Sequence, residues 1–181
     1  MASRKDDKDC LEASTYLNAI PTPVMAVDQE FTITFANEKV ARVAGMTAEQ
    51  MKGKKCYDLF ATPHCRTADC RVKQAMLKDG TFTGETTVQP GVLDLPIEYT
   101  GAPLKDPQGN IIGALEYIID ITDRKKILAD IKGVANAMAE RDLTVQANTS
   151  YEGDWLEIAK ALNTAVNSQR DDMVALAQAV D

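Results

Sequence analysis

Long apolar runs are absent from this chain. None approaches the roughly 18–20 residues that a membrane span requires. Met1 to Lys8 are polar and charged with no apolar stretch behind them, so no export leader is expected. Basic residues number 20 against 27 acidic ones, for a net charge of −7, and they form no stripe. Nucleic acid is therefore not an expected partner. Together these absences lead us to expect a soluble, cytoplasmic protein. Histidine occurs once, at His64, with no nucleophile motif beside it, so a Ser-His-Asp arrangement is not available. The phosphate-cradling patterns GxGxxG and GxxxxGK[ST] are missing too, and no enzyme is expected. A CxxC pair is also missing, and with it CxxCH, which excludes covalent haem attachment by that motif.

What remains is the composition of a globular protein, 45% hydrophobic and 26% charged over 181 residues. That length suits one ordinary domain plus a smaller helical unit. After a charged start over 1–9, expected to be mobile, helical spacing of Leu11, Ala13, Tyr16, Leu17 and Ile20 predicts a short helix, stopped by Pro21 and Pro23. Val24–Val27 reads as an apolar strand and Asp28–Glu30 as a turn. Phe31, Ile33 and Phe35 then alternate with threonines as a half-buried strand. Asn37 caps a helix through Val43, and Thr47-Ala48-Glu49-Gln50 is a capping box before Gly53. Short helices come next over Lys54–Phe60 and Thr67–Lys78, with a loop over Thr62–Arg66 between them. Three strands complete the pattern: Thr81–Val88, Leu93–Leu104 and Ile111–Thr122, with turns at Pro90-Gly91 and Asp106–Gly109. Helices grouped between two sets of strands predict an α+β domain, an antiparallel sheet with helices on one face around a small cavity.

These residues resemble a known family. Met25-Ala26-Val27-Asp28, Ile33-Thr34-Phe35-Ala36-Asn37 and Gly45 to Lys54 look like the first half of a PAS domain. Gly109-Asn110-Ile111-Ile112-Gly113 and Asp120-Ile121-Thr122-Asp123-Arg124 look like its end. The resemblance implies a PAS-like five-stranded antiparallel sheet with a helical flap over 10–122, acting as a sensor.

From residue 123 to 181 the strand pattern vanishes. Ile127, Ile131, Val134 and Met138 recur at spacings of 4, 3 and 4, a narrow coiled-coil seam. After a polar stretch ending at Gly153, a second stripe holds Leu156, Ala159, Val166 and Met173, widened by Trp155, Ile158 and Leu162 and running on to Val180. These seams predict a homodimer interface, two helices from each chain closing a four-helix bundle. Asp142 to Val145 and Gly153 to Asn163 are similar to the connector and second helix of a HAMP domain, as in methyl-accepting chemotaxis proteins. That resemblance implies a parallel helix pair in a homodimer, relaying a signal to a downstream chemotaxis domain with its kinase and adaptor. The same front end also fits a histidine kinase or a cyclase, and a ligand-free dimerisation scaffold is a further alternative.

Chemistry concentrates on the flap. Cys56, Cys65 and Cys70 cluster there beside His64, separated by eight and then four residues. Four readings are open: an iron–sulfur or metal site of three thiolates and His64, haem held by His64, a redox switch, or ordinary buried thiols. The switch reading places Cys70 near a helix N-terminus, where the dipole favours thiolate, with Cys65 in reach for a disulfide. Phe35, Tyr57, Phe60, Met76 and Tyr99 are candidate walls of a cavity for a small ligand. Asp120 and Thr122, where the last strand becomes a helix, are the candidate transmission residues.

Overall fold

The computed structural model describes residues 13–88 and 94–180. The predicted mobile start, the first turn of the predicted N-terminal helix, the Pro90-Gly91 turn and the side chain of Val180 lie outside the described residues. The chain divides into two compact units, one ending at Ile121 and one beginning at Thr122.

The first unit opens with helix α1 over 13–19 and strands β1 (Val24–Asp28) and β2 (Ile33–Ala36). Four helices come after them: α2 (Glu38–Val43), α3 (Ala48–Met51), α4 (Cys56–Phe60) and α5 (Arg71–Lys78). Strands β3 (Phe82–Val88), β4 (Leu95–Lys105) and β5 (Ile111–Asp120) complete it. The five strands form one antiparallel sheet in the order β2-β1-β5-β4-β3, so the first and last strands meet at its centre. There Gly113 makes the pairing possible: a Cβ on it would overlap the Val27 carbonyl. On one face lies the core, built from Met25, Val27, Ile33, Val40, Met51, Phe60, Val72, Ile97 and Ile118 among others.

Two side chains do much to fix the helical layer. Asn37 is fully buried; its Oδ1 accepts the Val24 and Val40 N–H groups at 3.0 Å, and its Nδ2 donates to the Leu17 and Thr22 carbonyls. One amide thus caps α2 and ties α1, β1 and α2 together. Thr47 and Gln50 form the reciprocal capping box expected of them. At the sheet, α5 rests directly on Gly101, where a Cβ would come within 2.7 Å of the Arg71 carbonyl oxygen.

Several boundaries differ from the sequence pattern; the last strand, for one, ends at Asp120 and Thr122 already belongs to α6. Phe31 is not in a strand: it takes φ 65 while Asp28 Oδ1 accepts the Glu30 and Thr32 N–H groups, closing the turn one residue later. A bulge between Ala26 and Val27 then breaks the predicted alternation, so that Ile33 and Ala36 both face the core while Phe35 pairs with Ala26 on the opposite face. Lys54 and Lys55 extend instead of coiling, because the Ile33 N–H donates to the Lys54 carbonyl (2.8 Å) and the Cys56 N–H to the Phe31 carbonyl. Finally, Thr67–Asp69 form a turn ahead of α5. The Thr67 hydroxyl bonds the His64 carbonyl and accepts the Asp69 N–H, competing with helix formation.

The second unit pairs α6 (Thr122–Ala139) with α7 (Gly153–Val180). Between them the connector returns along both helices. Its early residue Leu143 accepts from Arg170 through its carbonyl, Ala147 exchanges two hydrogen bonds with the Asn163 amide, and Asn148 and Tyr151 reach back to Asp130. A connector antiparallel to each helix makes α6 and α7 parallel to one another. Val134, Ala159 and Val166 are buried under Leu143 and Ala147 within this single chain. That corrects their assignment to an intermolecular seam: the connector, not a second copy, covers them. Met138 and Leu162 pack at the edge of the same cluster, Ile127, Ile131 and Leu156 are half-buried, and Met173 is exposed.

Candidate functional site

The flap brings the three cysteines to one wall. Cys56 opens α4, Cys65 sits in the turn after it, and Cys70 is the N-cap residue of α5. All three line an inner cavity of about 30 Å³. They also line an outer pocket of about 300 Å³, together with Phe31, Tyr57, Arg66 and Lys73. The thiols are therefore the partition between an interior void and a surface recess. All three are free, and the Cys65 sulfur lies 3.3 Å from the Thr62 hydroxyl.

Burial decides the character of this wall. It pushes the Cys56 thiol far up, with the neighbouring Glu116 adding to the effect. It pushes the Cys70 thiol up as well, against hydrogen bonds from the Lys73 and Val72 backbone. The helix-terminus expectation for Cys70 is thereby reversed: desolvation of the thiolate outweighs the dipole of a helix of eight residues.

His64 points elsewhere. Its Nδ1 lies 3.0 Å from the Tyr99 hydroxyl, which also accepts the Arg71 N–H at 3.2 Å and donates to the Asp69 carbonyl at 3.3 Å. This knot locks the loop after α4 to β4, and burial raises the Tyr99 phenol well above its ordinary value. Neither an iron–sulfur cluster nor haem fits here. Among the described residues no three Cys, His, Asp or Glu side chains converge as a metal site, and the inner cavity, about 30 Å³, has room for only one or a few waters.

Of the candidate walls, Phe60 and Tyr99 line the inner cavity and Tyr57 the outer pocket. Met76 lines a separate surface recess with Phe31 and Leu77. Phe35 lines none of these; the bulge turned it to the far face of the sheet.

The decisive cavity residue is one that the sequence pattern did not single out. Glu116 stands on β5 between Ala114 and Ile118, both in the core, and it is only 8% exposed. It faces the inner cavity, and no hydrogen bond or charge among the described residues offsets its burial. Burial pushes its carboxyl up to about 8. Its signal was present in the alternation, since Ala114, Glu116 and Ile118 share one face of a strand whose other face carries Tyr117 and Ile119. Across the sheet it pairs with Gly101 and Met25, so no neighbouring side chain can neutralise it.

Residues 17–126 match the family described as PAS fold. This chain belongs to the PAS-fold family. The match covers more than half of its length and includes every element that builds the cavity. Similar solved structures agree on the fold. The PAS domain of a protein from Colwellia psychrerythraea is 21% identical with a TM-score of 0.54, covering 64% of this chain and 98% of that one. The PAS domain of nitrogen regulation protein NR(II) from Vibrio parahaemolyticus is 19% identical with a TM-score of 0.51, covering 60% and 97%. The phage VqmA–DPO complex is 16% identical with a TM-score of 0.53, covering 75% of this chain and 60% of that one. No curated protein matches the chain. Among the described residues, no helix is long and apolar enough to cross a membrane.

Proposed function

We propose that this chain is the sensory front end of a methyl-accepting chemotaxis transducer. Its PAS unit reads a small ligand or the state of the flap, and its helix pair acts as a HAMP-like relay in a homodimer. The observation that carries the reading is β5. The strand that holds Glu116 against the cavity runs to Asp120, its Ile121 N–H donates to the Pro96 carbonyl, and Thr122 opens α6. A change at the cavity thus has one uninterrupted backbone route to the helices. The parallel pair with a returning connector supports the HAMP-like half, and the complex of phage VqmA with DPO supports a bound input to a fold of this kind.

The chain itself carries out no chemistry in this reading. A ligand acts only by binding two arrangements of the flap with different affinity. Ile127, Ile131, Leu156 and Met173, together with the edge residues Met138 and Leu162, form the seam that a second copy covers. The downstream chemotaxis domain, its kinase and its adaptor take the output. One second reading is the same front end on a histidine kinase, since a PAS domain from a two-component sensor histidine kinase shares the fold.

Two measurements test this. Ile131→Asp should abolish the dimer in sedimentation equilibrium, and an unchanged dimer refutes the bundle. Small-reagent thiomethylation of Cys65 should alter hydrogen exchange in α6 and α7, and the double change Asp120→Ala, Thr122→Ala should remove that response. Unaltered exchange in the unsubstituted chain refutes the relay.

A further inference from the structure

The inner cavity combines a size, a charge and a lining that select one class of ligand, and its role as an input site rests on the PAS unit being the sensor of the proposed relay. Its volume, about 30 Å³, admits only one or a few water-sized bodies. Its one strongly polar group, Glu116, has no hydrogen bond or charge among the described residues to offset its burial, and a buried carboxyl demands one. The other titratable groups that face it are the Cys56 thiol from α4, the Cys65 thiol from the following turn, the Cys70 thiol at the cap of α5 and the Tyr99 phenol from β4. No lysine or arginine lines the cavity. Phe60 and Tyr99 add aromatic rings, and thiols add weak acceptors, both of which favour a cation over an anion.

We infer that this cavity is a site for an ammonium-type cation, with Glu116 as its counter-ion. Ammonium has the volume of water and only N–H donors. It matches a space that offers a carboxylate, the Thr62 hydroxyl, soft sulfur and ring faces but no competing positive charge. An anion would meet Glu116 head-on, and a larger organic cation would not enter without moving the flap. A water could fill the space too, but it would leave the carboxyl as the neutral acid and release no proton.

Binding is coupled to the loss of a proton. Burial holds the carboxyl of the empty cavity up at about 8, so at pH 7 it is mostly the neutral acid. A bound cation favours the carboxylate, and the displaced proton leaves to solvent. Affinity therefore weakens about tenfold for each pH unit below that value.

The test is isothermal titration of the whole chain with ammonium chloride at pH 7, in two buffers of different ionisation enthalpy. Potassium chloride and formamide serve as comparisons of equal charge and of neutral N–H donation. The expected result is saturation at one ammonium per chain, release approaching one proton, about tenfold weaker binding at pH 6, and loss of binding in Glu116→Gln. A carbon-13 NMR titration of the unsubstituted chain needs no variant: the Glu116 carboxyl pKa should fall with ammonium chloride and stay with potassium chloride. Absence of saturable ammonium binding, equal binding of potassium or formamide, an unmoved carboxyl, or retained binding in a folded Glu116→Gln variant each overturns the site. None of these outcomes touches the relay, which is read separately by hydrogen exchange in α6 and α7.

Discussion

Glu116→Gln should make the PAS unit more stable at neutral pH, and the size of the gain can be worked from its surroundings. In the unfolded chain the carboxyl titrates near 4.5; in the fold, burial pushes it up to about 8. Below the lower value both states hold the proton and the group costs nothing. Between the two, only the unfolded chain ionises, so it gains about 1.4 kcal/mol for each pH unit and folding loses the same. At pH 7 the accumulated cost is about 3 kcal/mol, and above about pH 8 it stops growing. Glutamine keeps the shape and cannot ionise, so the variant loses this slope. Urea unfolding followed by the near-ultraviolet dichroism of the tyrosines, at pH 5, 7 and 8.5, measures both proteins under identical conditions. The gap should be smallest at pH 5 and widen as the pH rises, the variant unfolding at higher urea. Parallel curves across that range refute the reasoning, because they would mean that Glu116 finds a charge or solvent partner in the fold.

Three further outcomes are expected from the same packing. Asn37→Ala removes four hydrogen bonds from a fully buried amide and leaves backbone groups of α1, β1 and α2 unpaired. It should lower stability by about 3 kcal/mol or more in the same urea assay. Gly113→Ala sets a methyl group into the Val27 carbonyl and should cost about 2–3 kcal/mol, with faster exchange of the β1 and β5 amides. Time-resolved alkylation at pH 8 should label Cys65 before Cys70 and Cys56 last, since Cys56 is buried and its thiolate the most disfavoured; equal rates would contradict the partition described for the flap.

The sequence by itself determined the element order. Asn37 and the Thr47–Gln50 box could be read because a cap is a local agreement between a side chain and backbone groups a few residues away. The antiparallel sheet and its helical layer were legible from period-2 strands placed on either side of short helices. The parallel sense of α6 and α7 came from a resemblance, and no periodicity carried it. Errors arose where a distant partner overrode a local pattern. Phe35 lost its inward place to a bulge set by pairing with β1, and the start of α5 was moved by hydrogen bonds that the Asp69 and Arg71 N–H groups donate to the Thr67 and Tyr99 hydroxyls. Cys70 kept its place at a helix end, yet burial reversed the acidity that the dipole alone would give it. Three of the seam residues were taken up by the returning connector. Only the tertiary structure could decide that three cysteines from separate segments share one wall, and that a glutamate in an apolar strand faces a small buried cavity. Burial is a property of the assembled fold, and here it sets the charge of the site.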